Sequence, residues 1–174
     1  MRNEFAIPAP DLRLVLLVPA ISLLVGMIGI GFAAREEPRA WFAMIVIALA
    51  VAVLTWSVLR RGVALDDNHL DIAAGIHSAR IAVADLDLAA ARSVNLMDVS
   101  TLRPMLKTFG TSMPGYRAGH FRLRDRGRAF VLLTDNSKVL ALPERSGRML
   151  LLSLERPQTL LDALKAVAEA PDRR

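Results

Sequence analysis

Residues Gly110–Asp135 read GTSMPGYRAGHFRLRDRGRAFVLLTD. This stretch crowds glycines, a proline, a tyrosine, a histidine and several arginines into one segment. It is either a catalytic or phosphate-binding loop or a piece of sheet. Its second half has the pattern of a β-hairpin with Arg126 and Gly127 at the tip, where glycine supplies the positive φ of a tight turn. That register sets Asp125 opposite Arg128, Leu123 opposite Phe130 and Phe121 opposite Leu132. The two apolar pairs then face a core, and the exposed Asp125–Arg128 ion pair adds about 0–1 kcal/mol. Arg122, Arg124, Val131 and Leu133 fall on the other face, either solvated or turned toward a membrane surface; the solvated reading is preferred. In the first half the glycines precede a strand and no lysine follows them. A Walker loop and a dinucleotide fingerprint are therefore both excluded, and Pro114 with its flanking glycines reads as a turn-forming loop.

Working outward, short apolar segments alternate with turn clusters. RGVAL, HLDIAA, SARIAVADL, LAAARSV, GHFRLR, AFVLLT, KVLAL and MLLLSL are separated by Asp66-Asp67-Asn68, Asp125-Arg126-Gly127, Asp135-Asn136-Ser137 and Arg145-Ser146-Gly147. Such spacing predicts about seven antiparallel strands in a bent sheet, sandwich or barrel. RPQTLLDALKAVAEA follows. Pro157 suits a first helical position, and Leu160, Leu161, Leu164 and Ala168 share a face at helical spacing.

The first third of the chain differs. Residues 14–34 and 40–59 carry no charged side chain, and runs of about 20 apolar residues match a ~30 Å hydrocarbon core. Trp41 and Trp56 lie near the ends of the second run, where indoles favour the headgroup level. Ser22/Gly26 and Ala48/Ala52 have the spacing of close helix packing, although small residues are common in such helices anyway. The expectation is a two-helix transmembrane hairpin, not a cleaved signal peptide, whose apolar region would be shorter. Arg2, Arg13, Arg60 and Arg61 outnumber Arg35 and Arg39, which places both termini and the following domain in the cytoplasm of a multi-pass inner-membrane protein. The expected organisation is an N-terminal tail over 1–13, the hairpin over 14–59, a β domain over 62–168 and a C-terminal tail over 169–174.

The chain has 174 residues, a net charge of +5 and no cysteine, so disulfides and thiolate chemistry are excluded. The basic balance invites a nucleic-acid reading, but the arginines are dispersed, and no nucleic-acid partner is expected. Neither apolar run has an interior ionisable residue, which argues against a channel or transporter. His69 sits among Asp66, Asp67 and Asp71, yet the spacing fits neither an EF-hand nor a zinc helix, so a polar hairpin turn is expected and no metal. Asp85 and Asp87 form a carboxylate pair that acid–base work would require in a shielded cleft. A solvated edge is the preferred reading. Ser153 reads as a strand-end residue before the helix.

The succession GTSMPGYRAGHFRL, AFVLLTD, KVLALP and LLLSLERPQTLLDAL resembles a bacterial pleckstrin-homology-like (PH-like) domain family over roughly residues 62–167. The resemblance implies a strongly bent seven-stranded antiparallel sheet closed by a C-terminal helix, with no catalytic activity and no agreed ligand; no cofactor is expected. Relatives that bind inositol phosphates carry basic residues between the first two strands. Here Asp66 and Asp67 occupy that loop and would repel a phosphate. The expected function is a non-catalytic interaction module held at the cytoplasmic membrane face, integral to the bilayer, binding a protein partner or lipid. Arg60, Arg61, Arg122 and Arg124 are the candidate membrane- or partner-facing residues. The alternative is a small membrane-associated enzyme using Asp85, Asp87 or the His120 region.

Overall fold

The computed structural model describes residues 2–33 and 40–170. Among these residues, ten strands and three α-helices follow in the order β1 (Arg2–Phe5), α1 (Leu12–Ala33), α2 (Ala40–Leu59), β2 (Arg61–Asp66), β3 (His69–Ala74), β4 (His77–Ala82), β5 (Arg92–Val94), β6 (Pro104–Met113), β7 (Tyr116–Leu123), β8 (Arg128–Leu133), β9 (Val139–Pro143), β10 (Met149–Ser153) and α3 (Pro157–Glu169).

The strands form two sheets rather than one bent sheet. The first has the order β1-β2-β3-β4 and the second β5-β9-β10-β8-β7-β6. The expected all-antiparallel arrangement is corrected at one place, where β10 runs parallel to β8 and antiparallel to β9. The short β8–β9 connection thus opens to admit β10 between its two strands. Ser153, at the end of β10 and fully buried, fastens that opening. Its hydroxyl accepts the amides of Thr134 and Asp135 at 3.2 Å each and donates to the Asp135 carbonyl.

The second sheet is covered on both faces, which explains the near-continuous apolar runs of β8, β9 and β10. Phe130, Leu132, Leu140, Leu142, Leu150 and Leu152 point into the larger core with Val63, Leu70, Ile72 and the helix residues Leu160, Leu161 and Leu164. Val131, Leu133, Val139, Ala141 and Leu151 point the other way, under a segment that supplies Val94, Leu96 and Leu102. In α3, Val167 packs partly against the larger core, while Ala168, expected on the buried face, is exposed.

The β7–β8 register differs from the sequence reading. Phe121 faces Ala129, His120 faces Phe130 and Arg122 faces Arg128. All four expected core residues are buried, but Phe121 and Leu123 belong to one core and Phe130 and Leu132 to the other. Val131 and Leu133, expected outside, are buried. The turn accounts for the shift. It is a longer loop in which Arg126, not Gly127, has φ of 68°, and the Asp125 carboxylate accepts the Gly127 amide instead of pairing with Arg128. The presumed loop Gly110–Met113 is strand, and only Pro114 and Gly115 form the turn, with Gly115 at φ 74° as a type II turn requires at its second central residue.

The first residues, expected as a tail, add β1 antiparallel to β2 at the edge of the first sheet. α1 and α2 pack on one another. A Cβ at Gly26 would lie 3.0 Å from Ile47 Cδ1, so the glycine lets the helices approach. Each helix is tied to the β domain at one end, α1 through Val15 in the larger core and α2 through buried Ser57. Farther out, Leu24, Phe42, Val46 and Leu49 are exposed.

The expected transmembrane hairpin, and with it the multi-pass inner-membrane location, is corrected: among the described residues no helix is long and apolar enough to cross a membrane. Residues 34–39, with Arg35 and Arg39, lie outside the described residues, so the arginine count that oriented the hairpin has no structural counterpart.

Candidate functional site

The four arginines singled out in the sequence do not form one site. Arg60 and Arg61 line an open cavity of about 630 Å³ beside the first sheet, shared with Glu4, Phe5, Asp71 and Arg80. The charges there are mixed, and Arg80 lies 3.5 Å from Asp71. The Arg60 guanidinium stands 5.3 Å from the centre of the Trp56 ring, a cation–π distance. Arg122 belongs to the second sheet. Arg124 is exposed at the β7–β8 tip, its amide bonded to the Arg103 carbonyl.

Around Arg122 the second sheet presents an open cavity of about 660 Å³, lined in part by Phe109, His120, Arg122, Arg128, Glu144 and Arg148. The strand registers explain how these residues converge. Leu106 on β6 faces Arg122 on β7, which faces Arg128 on β8. In the parallel β8–β10 pair Met149 faces Ala129, so Arg148 precedes β10 beside Arg128. Three arginines therefore lie in one row across neighbouring chain segments. Arg148 is neutralised: its guanidinium contacts the buried Glu144 carboxylate at 2.7 and 2.8 Å, and Ser146 donates to the other oxygen at 2.9 Å. Arg122 and Arg128 stand directly opposed, both exposed, with no ion pair among the described residues. Directly opposed like charges destabilise a strand pair.

The neighbouring row holds Phe109, His120 and Phe130. The His120 ring stands edge-on to Phe130 at 5.1 Å, and Phe109 stands edge-on to His77 at 4.7 Å. This is where β4 of the first sheet meets β6 and β7. Gly119 makes the approach possible. At φ 110°, a Cβ there would lie 2.6 Å from the Phe109 carbonyl oxygen and 3.0 Å from His77 Cδ2. Burial, and then the His120 charge, hold the His77 pKa below its usual value. His77 Nε2 and His120 Nδ1 are buried with no hydrogen-bond partner.

β6 closes the second sheet on this side. It pairs with β7 alone, and no strand lies on its other edge among the described residues. Met105, Leu106 and Phe109 are 67%, 63% and 65% exposed. The sequence reading passed over PMLKTF because it has no clean alternation. Two register irregularities, between Pro104 and Leu106 and between Lys107 and Phe109, account for that.

The enzymatic candidates do not converge. Asp85 is exposed at the end of a 3₁₀ turn, and the Asp87 carboxylate accepts the Ala90 amide at 3.3 Å. His69 starts β3 in the β2–β3 hairpin, where Asp67 takes the left-handed conformation of a turn, φ 47°. Among the described residues no group of three or more His, Cys, Asp or Glu side chains could hold a metal ion. Tyr116 is fully buried, and its pKa is pushed up to about 12 by that burial, against the opposing charge of Arg61.

Residues 61–168 match the model of the Bacterial PH domain family, and since this is more than half of the chain, the protein belongs to that family. No curated protein and no solved structure matches it. Proteins with PH-like domains are generally non-catalytic, and membership suggests an interaction module.

Proposed function

We propose that this protein is a non-catalytic module that binds a protein partner along the open edge of β6. The observation that carries this reading is the edge itself. A long terminal strand presents unpaired backbone groups together with three exposed large apolar side chains, the arrangement that proteins either protect or use for strand addition. Main-chain bonds supply affinity in such complexes, and flanking side-chain pockets supply selectivity.

A photo-crosslinking amino acid placed at Met105, Leu106 or Phe109 of the full chain, in the native cell, tests it. The expected result is one common crosslinked polypeptide from all three positions and none from control positions Glu155 and Lys165, which are exposed elsewhere. Equal crosslinking at edge and control positions, or none at the edge, would contradict the reading.

A further inference from the structure

Resting on that reading, we infer that the segment added to β6 is acidic, with a carboxylate side chain and an aromatic or large aliphatic one on the same face. The charge row sets the first requirement. Arg122 and Arg128 face each other with no carboxylate between them among the described residues, while the third member of the row, Arg148, already has Glu144. An arriving anion relieves the like-charge opposition and gains the Arg122 guanidinium as a donor. The register sets the position. Leu106 is the β6 member of the Arg122 row. A strand added beside β6 places its own side chain next to Leu106, about 10 Å from the Arg122 backbone at ~4.8 Å per strand. The extended side chains of an arginine and a glutamate together span that distance, and Leu106 is small enough to be reached over.

The adjacent row sets the second requirement. Phe109, His120 and Phe130 stand in register on the same face, with His120 edge-on to Phe130 and Phe109 the exposed end of the row. The irregularity between Lys107 and Phe109 brings Leu106 and Phe109, three positions apart, onto one face. One face of the added segment therefore meets arginine and then phenylalanine in succession. A basic segment is rejected by the same guanidinium.

The test uses the full chain and two labelled peptides. Each has a central phenylalanine with threonine on either side, flanked at alternating positions by glutamates in one and by lysines in the other. The glutamate peptide should bind at least about tenfold more tightly than the lysine peptide, and added salt should weaken it. Arg122→Gln/Arg128→Gln should lose about that factor while melting no lower than the parent, because both side chains are exposed and their like-charge opposition is removed. Arg122→Glu/Arg128→Glu should reverse the preference. Equal binding of the two peptides, or unchanged glutamate-peptide binding by the Gln variant, overturns the inference. So does displacement of the glutamate peptide by phosphatidylglycerol vesicles or a single-stranded oligonucleotide at lower charge concentration, since the row would then serve a different polyanion. If edge crosslinks persist undiminished in the Gln variant, the interaction module stands and the acidic specificity falls.

Discussion

Single residues decide how closely neighbouring strands approach. Gly110 and Gly119 face each other across β6 and β7, and a Cβ on Gly110 would lie 2.3 Å from the Ala118 carbonyl oxygen. Gly119→Ala should cost at least about 2 kcal/mol, because it combines a left-handed alanine with a clash against backbone. Gly29→Ala, in α1 where a Cβ meets nothing within 4 Å, should gain up to about 1 kcal/mol of helix propensity. Comparison of the two denaturation midpoints checks both signs. At the same junction, His77 titrates below its usual value of 6.5 because burial, and then His120, disfavour its cation. The folded state then binds fewer protons than the unfolded chain, so this contribution to stability is fully present above about pH 6.5 and falls as the pH drops toward the lowered folded value. Melting the parent and His77→Phe at about pH 7.5 and pH 5.5 should show the larger loss in the parent. Equal losses would remove His77 as the cause. The glycines were visible in the sequence, but the approach of Gly119 to His77, a residue distant in sequence, leaves no local signal, so they read as loop residues.

At the scale of elements, burial was more legible than orientation. Phe121, Leu123, Phe130 and Leu132 are apolar in a strand pattern and are buried. Their faces depended on turn length, and the side-chain period of two makes a change of register by an odd number of residues exchange the faces. The Asp125–Gly127 hydrogen bond and the left-handed Arg126 lengthen the turn beyond what Arg126-Gly127 alone suggested. Leu133→Ala separates the two registers. It should cost about 2–5 kcal/mol with Leu133 at 3% exposure and almost nothing if that side chain were solvated. Phe130→Ala should cost about 3–5 kcal/mol in either register. Urea denaturation of both variants provides the measurement. The runs AFVLL, VLAL and MLLL also carried the sign of strands covered on both faces. Read only as short strands, they concealed both the second core and the parallel β8–β10 pair, which joins segments from separate turns.

For the whole molecule, the PH-like domain was recognisable from an ordered series of weak motifs, and the family match over residues 61–168 shows it. The apolar helices were equally visible, but apolar composition alone did not establish a membrane crossing, and no described helix meets the length and apolarity it needs. The partner-facing candidates were only partly legible. Arginine is easy to see, whereas the opposition of Arg122 to Arg128 comes from a register, and the β6 edge comes from the order of strands in a sheet. The central claim is that this edge is open and available. Hydrogen–deuterium exchange on the full chain tests it most directly, because amides in interior strands are held on both sides. The account predicts rapid exchange for a subset of the Met105–Phe109 amides, slow exchange throughout β8 and β10, and slowing at β6 when the glutamate peptide is added. Protection of Met105–Phe109 equal to that of β8 in the unbound protein would contradict it, since the edge would then already be covered.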